Sequence, residues 1–77
     1  MAKKAILTDL EQIGLNIRKI REGKDISRAQ LAFELNTTEK QITRIEYGEI
    51  NSGIMTFINL ARVLNVPVSD FFVKVKL

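Results

Sequence analysis

The side chains of this chain best suited to chemistry gather in one short run. Glu39, Lys40, Gln41, Thr43 and Arg44, with Tyr47 one turn further on, all hydrogen-bond in forked, planar or point-charge geometry. The 77 residues include no cysteine and no histidine, which removes Ser–His and Cys–His catalysis and the common zinc sites. No glycine-rich phosphate loop and no acidic cluster of metal-site type occurs either. No catalytic residue, metal or cofactor is therefore expected, and the chain does not read as an enzyme. What remains is recognition. The Arg44 guanidinium matches guanine O6 and N7 as a two-pronged donor, a pairing that discriminates by about 1–3 kcal/mol. Lys40 suits either a base edge or a phosphate. Glu39 either accepts from a cytosine amino group or complements the positive end of its own helix.

These residues need a support, and the stretch Ser27–Gly48 supplies one. Leu31, Ala32 and Leu35 give an apolar face to a first short helix, and Ile42 and Ile45 give one to a second. Asn36-Thr37-Thr38 between them has room only for a turn, and asparagine tolerates the left-handed conformation that ends a helix. Ser27 with Gln30, and Thr38 with Gln41, have the spacing of helix N-caps. Two short helices joined by such a turn form a helix-turn-helix, whose second helix can enter a DNA major groove. Arg28 sits in the first turn of the leading helix, where exposed N–H groups and the helix dipole favour a phosphate. Its alternatives are a phosphate contact and a plain surface arginine.

The flanking sequence completes an all-α domain. Residues 1–9 form an N-terminal arm whose Lys3 and Lys4 are placed to touch a phosphate backbone if ordered. Thr8 and Glu11 fit a capping box, and Leu10, Ile13, Ile17 and Ile20 form the stripe of a helix ending near Gly23. Gly14 marks either close packing or the true start of that helix. Arg21 next to inward Ile20 and Glu46 next to inward Ile45 would tie the first helix to the third as a partly buried ion pair. Ile54, Phe57, Ile58, Ala61 and Leu64 form the stripe of a fourth helix, stopped by Asn65-Val66-Pro67. Met55, Leu60 and Val63 fall off that stripe and, with Val73 and Val75, are expected at a dimer interface. Ser69–Phe72 suggests a last short turn. Residues 73–77 alternate as a half-buried strand does, and either pair with their copy or fray.

A formal charge of +3, 27% charged residues and 45% hydrophobic ones describe a globular domain with a mild preference for polyanions. No segment is long and apolar enough to be a signal peptide or membrane span, so a cytoplasmic, non-membrane protein is expected.

Several of these pieces occur together in a familiar order. Ile17-Arg18 with Ile20-Arg21, Ile26-Ser27 with Gln30-Leu31-Ala32, Thr38 with Gln41-Ile42, Ile45-Glu46 and Gly48, and Leu60-Ala61 with Leu64 and Val66 resemble the Cro/cI repressor, or Xre, type of helix-turn-helix. The resemblance spans about Ile13 to Phe72. It implies a compact five-helix, lambda-repressor-like domain over residues 10–72. It also implies a transcriptional regulator, a repressor in many members, that binds a palindromic double-stranded DNA operator as a homodimer. Carried to this chain, it implies a recognition helix at 39–47 with Glu39, Lys40 and Arg44 toward base edges and Thr43 and Tyr47 beside them. Ser27, Arg28, Gln41 and Tyr47 would meet phosphates, with Asn51, Ser52 and Gly53 of the following loop, and Arg21–Glu46 matches the family's structural ion pair. Arg28 departs from the glutamine common at its position, and Asn36 from the glycine that usually ends the second helix. A contrasting expectation is a protein-interaction module, or an antitoxin-like component whose main partner is another protein.

Overall fold

The computed structural model describes residues 7–75. Four α-helices follow one another, α1 (Asp9–Gly23), α2 (Arg28–Glu34), α3 (Glu39–Glu46) and α4 (Ile54–Leu64), and a 3-10 turn (Val68–Phe72) closes the chain. The expected fifth α-helix is thus a single 3-10 turn, and there is no strand among the described residues. Pro67 fixes the entry to that turn, and only five residues follow before the backbone turns extended at Val73, too few for α-helical hydrogen bonds to propagate. The strand expected at the tail fails for a related reason. Lys74 takes a positive φ of 68°, and the Val75 N–H donates to the Phe72 carbonyl at 3.1 Å, closing a turn. Lys76 and Leu77, like the arm lysines Lys3 and Lys4, lie outside the described residues.

Local chemistry explains why the helices start and stop where they do. Thr8–Glu11 and Ser27–Gln30 form reciprocal capping boxes, with cap distances of 2.8–3.1 Å. Thr38 accepts from the Gln41 N–H at 3.1 Å, but here the glutamine side chain does not reach back. The helices end at left-handed residues, Asp25 (φ 58°), Asn36 (55°), Gly48 (69°) and Asn65 (58°). In each case the next N–H turns back to a carbonyl of the last helical turn, for example Thr37 to Ala32 and Glu49 to Arg44, both at 2.9 Å. Gly23 is therefore the last helical residue of α1, and Asp25 makes the reversal.

The core is one cluster of Ile17, Leu31, Ala32, Ile42, Ile45, Phe57, Leu60, Ala61, Leu64 and Phe71. Its composition corrects the reading of α4. Leu60 is 0% exposed, enclosed within its own subunit, so it is no dimer contact, whereas Ile54 of the expected core stripe is 62% exposed. The helix buries the arc of residues 57, 60, 61 and 64, which joins the core cluster with Leu31 and Ala32 of its neighbour α2 and Phe71 of the 3-10 turn. Ile54 lies at the first position of the helix, beyond the end of that contact. Asn16 ties the closing turn to α1 by donating to the carbonyls of Phe71 and Val73 at 2.9 and 2.7 Å, while its own oxygen accepts from Gln12 at 2.9 Å.

Candidate nucleic-acid interface

The recognition surface begins with the way α3 is held. Gly14 of α1 lies directly beneath the carbonyls of Ile45 and Glu46, so close that a Cβ there would collide with backbone. Gly48 repeats the arrangement one turn on: its Cβ would stand 2.6 Å from the backbone of Glu11, and its positive φ would disfavour any other residue. Of the two readings of Gly14, close packing is what the structure has. The last turn of α3 therefore rests on the backbone of α1, and its position is set by covalent geometry more than by adaptable side chains.

Behind this joint sits a charged triad. Glu46, its side chain 0% exposed, accepts from Arg21 Nε at 2.6 Å and Nη2 at 3.2 Å, and from Arg28 Nε at 2.9 Å. Arg21 also donates to the Ile26 carbonyl at 2.8 Å, which fixes the connector between α1 and α2. Three helices thus converge on one carboxylate. The hydrogen bond from Arg28 to Glu46 raises the arginine's pKa above its ordinary value, against a desolvation that lowers it, so its positive charge is secure. The Arg28 guanidinium also lies over the Tyr47 ring, 5.6 Å from its centroid, and Arg18 of α1 lies 6.0 Å from the same ring.

With α3 anchored from behind, its other side faces water. Lys40, Thr43, Arg44 and Tyr47, spaced i, i+3, i+4 and i+7, share the side opposite Ile42, Ile45 and Glu46. Lys40 and Arg44 are exposed and Thr43 is half-buried beside them. Arg44 approaches Glu49 at 3.8 Å, with both side chains about half exposed, a contact worth little and easily exchanged for another acceptor. Glu39 is exposed on one flank at the first position of the helix. Gln41 lies on the other flank, lining a shallow depression with Thr37, Thr56 and Asn59, so it stands apart from the outward face. Ser27 is exposed at the N-cap of α2, and Asn51, Ser52 and Gly53 form the loop into α4, whose N-cap Gly53 is extended and has no side-chain cap. The Thr56 N–H already donates to the Gly53 carbonyl at 3.0 Å, which leaves those of Ile54 and Met55 for an external acceptor.

The expected interface residues of α4 do not come together. Met55 is 54% exposed, Leu60 is internal, and Val63 turns toward α2, where it lines a groove with Ile26, Ala29 and Phe33. Val73 is exposed and Val75 half-buried in the closing turn. Two participants were not apparent from the sequence. Arg18 has no assigned contact there, and Arg28 reads as a phosphate contact or surface arginine rather than a partner of Glu46. Neither Arg18 nor Arg28 flanks an inward apolar residue of the same stripe in a way that points to Tyr47 or Glu46, so spacing alone does not find these contacts.

The sequence matches the helix-turn-helix family HTH_3 over residues 17–71, more than half of the chain. No curated protein is significantly similar to it. Among solved structures, the chain is similar to the restriction-modification controller protein C.AhdI from Aeromonas hydrophila, with 26% identity and a TM-score of 0.79 over 83% of this chain and 97% of that one. It is similar to an HTH_3 family transcriptional regulator from Vibrio cholerae, with 25% identity and a TM-score of 0.76 over 88% of this chain and 40% of that one. The clp gene regulator ClgR from C. glutamicum shares the fold at 18% identity, with a TM-score of 0.83 over 88% of each chain. No helix of the described residues is long and apolar enough to cross a membrane. With a family model matched over most of its length, the chain belongs to the HTH_3, or Xre-type, helix-turn-helix proteins and is a DNA-binding transcription regulator.

Proposed function

We propose that this regulator acts by binding rather than catalysis, in the cytoplasm, as a homodimer that lays α3 of each subunit into successive major grooves of a palindromic operator. Lys40 and Arg44 read base edges, with Thr43 and Glu39 at the margin. Ser27, Arg28, Tyr47 and the Asn51–Gly53 loop meet phosphates, and Gln41, on the far flank of α3, reaches the backbone only at the edge of the footprint. The observation that carries this reading is the division of α3 into an anchored face and a solvent face bearing Lys40, Arg44 and Tyr47. The outer side of α4 supports dimerisation. Ile54 and Met55 leave an apolar strip in water beside a groove that runs from half-buried Ile58 to Val66 and Val68, a surface for a second copy to cover.

Selection of bound duplexes from a random pool tests the proposal. It should enrich two inverted half-sites about one helical turn, roughly 34 Å, apart. Arg44→Ala should then relax preference at one position per half-site by about 1–3 kcal/mol; uniform weakening over all sequences would reassign Arg44 to the backbone. A second reading, binding to another protein, draws on Phe33, which is 82% exposed beside an apolar groove. A pool that yields no enriched motif would favour it.

A further inference from the structure

Tyr47 is the C-cap of α3 and stands at the edge of its outward face, 47% exposed. Nothing in the helix itself fixes that ring. Of the two arginines that lie over it, Arg28 is the nearer, and its own freedom is removed by the Nε hydrogen bond to the fully buried Glu46 carboxylate. A guanidinium can do both at once because its fork offers one edge to the carboxylate while its flat face lies over the aromatic ring. A lysine could hold only one of those partners, and a glutamine would leave Tyr47 only the more distant Arg18, 6.0 Å from its centroid, as a cationic neighbour. Glu46 keeps Arg21 in every case, so the support of α3 does not depend on Arg28.

We propose that Arg28 is a positioning residue for DNA binding: tethered to Glu46, it fixes Tyr47 at the DNA-facing end of α3, so that binding requires the forked guanidinium and not merely a positive charge at position 28. The inference rests on the DNA-binding reading above and specifies how one edge of that interface is organised. Arg18, held by Glu22 at 3.1 Å and lying over the same ring, extends the arrangement onto α1.

The chain contains one tyrosine and no tryptophan, so its intrinsic fluorescence reports Tyr47 alone. The full chain, Arg28→Lys and Tyr47→Ala are to be compared on the duplex that the wild-type chain enriches from a random pool. Arg28→Lys should melt close to the wild type but show lower Tyr47 anisotropy in the free protein and about tenfold weaker binding, with the slope of affinity against salt unchanged. Combining it with Tyr47→Ala should cost no more than the larger single change. Wild-type affinity and anisotropy in Arg28→Lys would overturn the proposal and leave Arg28 as a simple charge. So would additive losses in the double variant. A wild-type chain that enriches no duplex would remove the DNA reading and this inference together, an outcome distinct from either of those. A large loss of thermal stability in Arg28→Lys would also count against it, by making the residue structural.

Discussion

The joint between α1 and α3 and the first turn of α4 are built in opposite ways. At the joint, backbone rests on backbone at Gly14 and Gly48, a buried carboxylate gathers two arginines, and Glu46 is only 3% exposed. At the start of α4 no side chain caps the helix, and Ile54 and Met55 stand 62% and 54% exposed. The contrast separates two tasks. The proposed reading of base edges by Lys40 and Arg44 requires α3 to be held within a fraction of an ångström, and rigid contacts do that. An apolar strip left in water contributes little to the fold of one subunit, which fits the proposed dimer contact. Buried ion pairs are seldom a net gain in stability over apolar packing, so the triad is better understood as fixing geometry.

The comparison can be broken most directly at Glu46. Glu46→Gln leaves Arg21, 7% exposed, without its counter-charge, and should cost about 3–5 kcal/mol, a fall in melting temperature of roughly 12 °C or more by circular dichroism. A shift of a few degrees would mean that the triad is dispensable. Two glycines of α1 give a sharper test, because the same substitution should act with opposite signs. Gly14→Ala pushes a methyl into the Ile45 and Glu46 carbonyls and should destabilise by about 1–3 kcal/mol, with a matching loss of DNA affinity. Gly23→Ala meets nothing within 4 Å and should stabilise by about 0.5–1 kcal/mol in chemical denaturation. Asn16→Ala, which orphans the ties to Phe71 and Val73, should cost about 1–2 kcal/mol, and protection of the closing turn in hydrogen exchange should fall first.

The smallest effect on stability is expected at the other end of the comparison. Ile54→Ser with Met55→Ser should change folding stability by no more than about 0.5 kcal/mol each while weakening self-association in sedimentation. An undisturbed dimer would place the interface elsewhere. Leu60→Glu is not a test of the interface at all, since it would bury a carboxylate in the core and unfold the chain.

Much of this fold is written locally. The N-caps at Thr8, Ser27 and Thr38, the apolar spacing of α1 to α3 and the left-handed Asn36 follow from short-range sterics and hydrogen bonding, which is why the sequence alone determined where these helices begin and turn. The pairing of Arg21 with Glu46 was also within reach, because each flanks an inward isoleucine. The sequence did not determine which arc of α4 is buried. An apolar residue at nearly every position leaves the helix rotation open until α2 and the closing turn choose Phe57, Leu60, Ala61 and Leu64. Nor did it determine that the last turn is 3-10 and that residues 73–75 fold back, since Asn16 sits more than fifty residues away from the carbonyls it binds. The hold of Glu46 on Arg28, and of Arg28 on Tyr47, belongs to the same class. Charge and aromatic partners on different helices meet only once three helices have packed, and only the tertiary structure brings them within reach of one another.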